Sequence, residues 1–544
     1  MSNPPSNERW ITDLGGALPE DAADHVPRPG RWTVMSYETA AASGRLAMAL
    51  PDSDAPSFTI PLRAVGTYRI ELGLVFDHCD QLLAKLAGER AFDRLTHAPV
   101  AVKHAIESVP WRTVTLTGDE SLVLAQQRGR RAAVAWVALI PETVTDPPRG
   151  ASRYLVHVTD DGLPGNWGPP IDDENHVWMI EPMARTGVNM ISRGIDLGGT
   201  ANYATRLDHL RADTHHMLDE VMSRPVDRDT VEILHDHIQR GFCAPKRYFE
   251  LAREHGMQVF GYHRMAKIHA LPPYHHIRSH LYDQRPDLRC VDVTGAAVNR
   301  LSMAHEEVRA EFIDLLRESI DLGATGVNNV FARGLPVVLH EAPVRELIQQ
   351  RHDVDPWTLN DDDPRAVAAR TAFVTQYMRE QRAALDVRPD GERPRIIATV
   401  PATREICGFF GLDPEAWARE GLIDVLCPYR WGWDAADTPL EMDYFAEAVR
   451  GSTVQLLPVI NTWRGRDPAA LIERALELTA WPVDGFTVWD RFFSGPVFRE
   501  AIASLHDPEV MRDTLRRLRA GRRTFTFQSL AGTAEAKYPY GWAM

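Results

Sequence analysis

Carboxylates, indoles and guanidinium groups recur in this 544-residue chain directly after short apolar runs. The run at 154–158 leads to Asp160 and Asp161, and 188–192 leads into Arg193. The run 259–263 ends in Tyr262 and His263. The run 326–331 holds Asn328 and Asn329, then Arg333, and the loop 335–344 adds His340 and Glu341. After 396–400 comes Thr403-Arg404-Glu405, and after 425–428 comes Tyr429-Arg430-Trp431-Gly432-Trp433-Asp434. The last two runs, 456–460 and 485–489, end in Asn461-Thr462-Trp463-Arg464 and in Trp489-Asp490-Arg491. Two carboxyl groups across a glycosidic bond can cleave it, one protonating the leaving oxygen and the other attacking or activating water. Aromatic faces stack on sugar rings, and arginine, amide and carboxylate groups take bidentate hydrogen bonds with hydroxyls.

On this reading Glu341, flanked by Pro336 and Pro343, is the acid/base, with Asp490 or Asp434 as second carboxylate. Trp431, Trp463 and Trp489 stack on the sugar, while Arg193, Arg333 and Tyr429 hold hydroxyls. Asp160 or Asp161, Tyr262, His263, Asn328 and Glu405 complete the binding set. A Glu341→Gln variant is then expected to lose turnover and keep its fold. Blander roles exist for several of these residues. A loop glutamate is usually solvated, Glu405 can simply begin a helix, and Asp160-Asp161-Gly162 also has the form of an ordinary turn.

The elements that must position these groups alternate strand and amphipathic helix. Helices are expected at 231–255, 306–322, 366–385, 441–449, 469–478 and 497–505, and 306–322 places Val308, Phe312, Leu315, Leu316 and Ile320 on one face. Eight such units over 150–505 predict a (β/α)8 TIM barrel, an α/β fold whose site lies at the C-terminal ends of its strands. Before it, 31–145 reads as an antiparallel, jelly-roll-like β-sandwich, with strands at 57–62, 66–72, 113–116, 122–125 and 133–140 and a helix-like insert at 78–94. The Pro-rich 141–149 is the expected linker, 1–30 an N-terminal extension, and 506–544 a tail with a basic helix at 510–519.

Composition narrows the partners. A net charge of −15 disfavours nucleic acid and anionic membranes, which need a basic surface. No apolar run reaches the roughly 20 residues that span a bilayer, and the N-terminus lacks a secretory pattern, so a cytoplasmic location is expected. Five scattered cysteines give neither a disulfide framework nor a cysteine zinc site. The pairs His215-His216 and His275-His276 are poor chelates, no HExxH occurs, and no phosphate or dinucleotide loop is present. No cofactor and no metal are expected. The competing metal reading joins His263 to Asp160 and Glu341. The implied partner is a small carbohydrate or glycoside, with homo-oligomerisation left open.

The run Ala304-His-Glu-Glu-Val-Arg309, then 315–323, then Gly326-Val-Asn-Asn-Val-Phe-Ala-Arg333, resembles the barrel core of bacterial family 10-like glycoside hydrolases. The resemblance covers about residues 150–500 and implies a glycosidase preceded by an accessory carbohydrate-binding sandwich. It carries over Arg333. The acidic residues of that pattern stand here as Thr325 and Val330, and the seventh strand ends in Asn461 and Thr462 without an acid. Two alternatives stand beside glycoside hydrolysis: a metal-dependent sugar lyase, isomerase or epimerase in the same barrel, and a non-catalytic carbohydrate-binding protein.

Overall fold

The computed structural model describes residues 8–76, 78–96, 105–142, 154–160, 173–219, 225–265, 279–333, 335–387, 392–430, 439–460, 467–489 and 495–531; of residues 160, 173–175, 226 and 531 it describes the backbone alone. Strands β1 (Arg9–Ile11), β2 (Ala23–Asp24), β3 (Trp32–Thr39), β4 (Ser43–Ala49), β5 (Phe58–Pro61), β6 (Val65–Val75), β7 (Leu82–Leu86), β8 (Asp93–Leu95), β9 (Ala105–Thr117), β10 (Ser121–Gln126) and β11 (Ala132–Pro141) build the N-terminal part. The order β11-β4-β3-β22-β9-β6 returns to β11 through a further β11–β6 pairing, so these strands close an antiparallel ring. Its strand β22 (Thr524–Ala531) comes from the far end of the chain. Beside the ring lies a smaller sheet, β5-β10-β7-β8.

Three expectations change here. The insert at 78–94 carries strands, not a helix: Leu-Leu-Ala-Lys-Leu of β7 pairs with β10 and β8, and Leu82, Leu83, Ala84 and Leu86 are all buried. A short apolar run fits either element, and pairing on both edges decides for the strand. The first residues are part of the fold as well, since β1 pairs with β11 and Trp10 packs 5.1 Å from Trp136. The stretch read as a tail supplies β22, whose Phe527 and Leu530 are buried and whose Phe525 sits 5.4 Å from Trp136. Most of the expected linker lies outside the described residues.

The second half is the expected barrel. Strands β12 (Leu155–Asp160), β13 (Met190–Gly194), β14 (Gln258–Arg264), β17 (Gly326–Val330), β18 (Arg395–Pro401), β19 (Val425–Tyr429), β20 (Gln455–Leu456) and β21 (Gly485–Trp489) pair in parallel, in that order, and β12 pairs with β21. Closure between the seventh and eighth strands rests on Thr487 N–H donating to the Pro458 carbonyl (2.9 Å) and Ile460 N–H donating to the Thr487 carbonyl (3.0 Å). Pro458 has no N–H to give, which shortens the regular part of β20 without opening the barrel. The strands start close together: a Cβ on Gly485 would lie 2.0 Å from the Leu155 carbonyl oxygen, and one on Gly326 2.4 Å from that of Arg395.

Helices α1 (Asp173–Ala184), α2 (Thr214–Asp219), α3 (Pro225–Arg240), α4 (Ala244–Glu254), α5 (His280–Gln284), α6 (Glu306–Asp321), α7 (Ala342–His352), α8 (Pro364–Asp386), α9 (Arg404–Phe409), α10 (Pro414–Arg419), α11 (Met442–Ala448), α12 (Pro468–Leu478), α13 (Pro496–Ser504) and α14 (Pro508–Ala520) wrap the strands. Four of them begin with the same Asp-Pro pair. Asp363, Asp413, Asp467 and Asp507 each accept a first-turn N–H, and the proline after each presets the helical φ. The helix expected over 231–255 is two, because Gly241 takes φ 66° and Pro245 restarts the chain as α4. A hairpin of β15 (Arg289–Val291) and β16 (Ala297–Leu301) fills the loop after β14. Among the described residues no helix is long and apolar enough to cross a membrane.

Because β22 completes the N-terminal ring, truncation after Ala520 should leave the edges of β3 and β9 unpaired and markedly lower the thermal midpoint. Phe527→Ala should cost about 3–5 kcal/mol in chemical denaturation. A truncated chain as stable as the full one would show that β22 is dispensable.

Candidate active site

In a parallel barrel alternate side chains point inward, and those near the C-terminal strand ends form the floor and wall of the site. The inward residues at mid-height are polar and joined to one another. His157 Nε2 lies 2.7 Å from Ser192 Oγ, and Asn328 Nδ2 donates to the same Ser192 Oγ (3.2 Å). Thr399 Oγ1 donates to Asn328 Oδ1 (3.0 Å), and Cys427 contacts both Thr399 and Thr487 Oγ1 (3.3 Å). Thr487 Oγ1 closes the ring at 3.3 Å from His157 Nδ1. Six strands thus contribute to a hydrogen-bonded girdle whose members are all buried.

The donors fix the tautomer. The Thr487 hydroxyl donates to the Leu457 carbonyl (3.0 Å), so toward His157 Nδ1 it can only accept; Nδ1 carries the imidazole proton, and Nε2 accepts from the Ser192 hydroxyl. Burial, aided by the Arg395 charge, brings the His157 pKa down to about 3, and burial raises that of Cys427 to about 12. Both groups are neutral at ordinary pH.

Above the girdle lies an aromatic layer. Tyr429 and Trp489 stack with centroids 5.0 Å apart at 17°, and Tyr262 meets Trp489 edge-on at 5.6 Å. Arg264 Nε donates to Tyr262 Oη (3.0 Å), and the Arg333 guanidinium lies 5.7 Å from the Trp489 ring centre. Four residues expected from the sequence to bind substrate, Tyr262, Arg333, Tyr429 and Trp489, therefore come together. Each of the three rings is itself buried, so the layer is a packed floor rather than an open platform.

Other expected residues go elsewhere. Arg193 and His263 belong to the alternate phase of their strands and point to the helices: Arg193 lies over the Tyr248 ring of α4 at 4.7 Å. His263 packs 4.9 Å from Phe312 of α6, with Nδ1 3.1 Å from Asp196 Oδ2. Asn328 faces inward, but it is fully buried, with both ends of its amide bonded within the girdle. Glu405 is exposed in the first turn of α9, whose cap is Thr403, where it complements the helix dipole.

Glu341 requires a larger revision. It is 1% exposed, and its carboxylate accepts N–H groups from Val291 (3.0 Å, Oε1) and Leu339 (3.0 Å to each oxygen). The neighbouring His340 N–H donates to the Val291 carbonyl (2.8 Å). The side chain thus staples the hairpin after β14 to the loop after β17. Burial raises its pKa, and the Leu339 and Val291 amides and the Ser302 hydroxyl oppose that rise. Such a carboxyl has no free oxygen for a substrate. It also stays apart from His263 as a ligand set, and among the described residues no three His, Cys, Asp or Glu side chains are grouped to hold a metal.

Asp161, Trp431, Asp434, Trp463 and Asp490 lie outside the described residues, as does the side chain of Asp160. The girdle residues Ser192, Thr399, Cys427 and Thr487 were missed by reading only strand ends. Period-two alternation carried back into each strand would have found them.

No family model matches the chain, and no curated protein matches its sequence. The family 10-like resemblance thus rests on its sequence motif alone. Solved structures similar in chain course include α-L-fucosidase isoenzyme 2 from Paenibacillus thiaminolyticus, at 12% identity over 68% of this chain and 50% of that one with a TM-score of 0.40. The α-galactosidase TtGalA from Thermus thermophilus is similar at 14% identity over 90% and 94%, with a TM-score of 0.34. A chitobiase from Flavobacterium johnsoniae is similar at 10% identity over 72% and 54%, with a TM-score of 0.37. The chain spans about half the length of the fucosidase and of the chitobiase. Likenesses this low do not bear on the activity of this chain.

Two outcomes test the site's electrostatics. The unfolded chain takes a proton on histidine near pH 6.5, while folded His157 takes one only near pH 3. The stability held above pH 6.5 should therefore decline as pH falls toward 3, by roughly 1.4 kcal/mol per pH unit. Chemical denaturation should show a shallower loss in His157→Gln; parallel curves would contradict the assignment. Glu341→Gln turns an amide NH₂ toward backbone donors and should cost about 1–3 kcal/mol without substrate.

Proposed function

We propose that this chain is a glycoside hydrolase acting at the C-terminal face of its barrel. One observation carries the reading: the contact layer of Tyr262, Tyr429, Trp489 and Arg333 at the strand ends. The buried rings floor the mouth, the guanidinium group of Arg333 stands beside them, and in such barrels the loops above this layer hold the chemistry. The catalytic carboxylates are Asp434, a few residues after β19, and Asp490, the residue directly after β21. One protonates the glycosidic oxygen; the other attacks the anomeric carbon or activates water against it. Trp431 and Trp463, in the loops after β19 and β20, stack on the sugar, and Arg333 holds hydroxyls beside Trp489.

Glu341 leaves the catalytic pair because its oxygens are committed to backbone amides. Its part is positional: it holds together two of the loops that surround the mouth.

A screen of aryl glycosides, furanosides included, tests the proposal. Asp490→Asn and Asp434→Asn should each lower kcat by about 10²–10⁴-fold with the thermal midpoint unchanged. Glu341→Gln should lower the midpoint and spare kcat of the folded fraction. Full turnover in both aspartate variants would remove them from the chemistry.

A further inference from the structure

Away from the barrel mouth, a partly open pocket lies where the N-terminal β domain meets α1, α13 and α14. Charge is unevenly spread along it. At one end Asp93 is buried, accepting Trp111 Nε1–H (2.7 Å) and Arg185 Nη2–H (2.9 Å), with Arg499 Nη2 3.2 Å away. Burial alone would raise its pKa, but Arg499, Arg185 and Arg112 hold it below the usual carboxylate value.

Among the described residues that end has more cations than anions: the guanidinium groups of Arg499, Arg185 and Arg112 share the two carboxylates Asp93 and Glu89, and the charges of Arg185, Arg112 and Arg94 all bear on Arg499. Arg499 Nη2 and Arg112 Nε are buried, yet neither makes a hydrogen bond of good geometry among the described residues. Buried guanidinium donors left unmet are costly, and they call for an acceptor. The other end is acidic. Glu142 pairs with Arg69 (3.1 Å), while Glu500 (2.9 Å) and Asp513 share Arg517.

We propose that this cavity binds a small polyol bearing an oxyanion. The anionic head takes the Arg499–Arg112 end, where a guanidinium fork matches two oxygens. The hydroxyl groups donate to Glu142, Glu500 and Asp513 at the other end. The ligand touches the β domain and the barrel's first and last helices together, so its binding stabilises their docked arrangement. This site is separate from the barrel mouth and does not depend on the glycosidase reading.

The test uses the full chain and three probes, glucuronate, glucose 6-phosphate and inorganic phosphate, followed by calorimetry and thermal shift. At least one of the two sugar probes should bind and raise the midpoint, and the stronger of the pair identifies the head group as carboxylate or phosphate. Arg499→Gln should weaken that binding about tenfold or more. Ala503→Trp, which fills the cavity from α13 without changing its charge, should abolish it. No binding of either sugar, unchanged affinity in both variants, or inorganic phosphate binding as tightly as the sugars would overturn the proposal.

Discussion

Every polar side chain turned into the interior of a closed eight-stranded barrel must find its partner among the other inward side chains, because little else is within reach. Here that requirement is met by a ring: His157, Ser192, Asn328, Thr399, Cys427 and Thr487 satisfy one another across six strands. The ring works only with a neutral imidazole protonated at Nδ1. It also demands that each strand keep its register, since a slip of one residue would replace a girdle member by an outward apolar one such as Val158 or Ile191. Register, closure and the tautomer of one histidine are therefore a single constraint.

What lies above and below follows from it. Below, Gly326 and Gly485 let the strands approach closely. Above, the girdle supports the packed rings of Tyr262, Tyr429 and Trp489, with Arg264 and Arg333 over them. The proposed chemistry lies in the space over this floor. The loops there are held to one another by buried polar contacts, of which Glu341 between the hairpin and the loop after β17 is the clearest.

The barrel was legible in the sequence because its strands are short apolar runs separated by helices of period 3.6, and each expected strand overlaps an observed one. The direction of individual side chains was less so. Reading strand ends without their alternation put Arg193 and His263 into the mouth, although the neighbours Ser192 and Tyr262 are the inward residues. Glu341 sits in the right loop, but nothing local in the sequence says that the amides of Val291 and Leu339 consume its carboxylate. In the N-terminal half, β7 misled through its helix-compatible residues, and β22 was hidden because its partners β3 and β9 lie hundreds of residues earlier.

Strand β22, which follows the barrel in the chain, thus completes a β ring whose other strands precede the barrel. On this account the mouth over Trp489, rather than the interdomain cavity or the β domain, is where a glycoside is broken. The most direct test is a crystal structure of the protein with a bound monosaccharide product. The account predicts density for the sugar over the Tyr429–Trp489 layer, with its anomeric carbon beside Asp434 and Asp490. A sugar bound only on the β domain, with the barrel mouth closed by packed side chains, would contradict it.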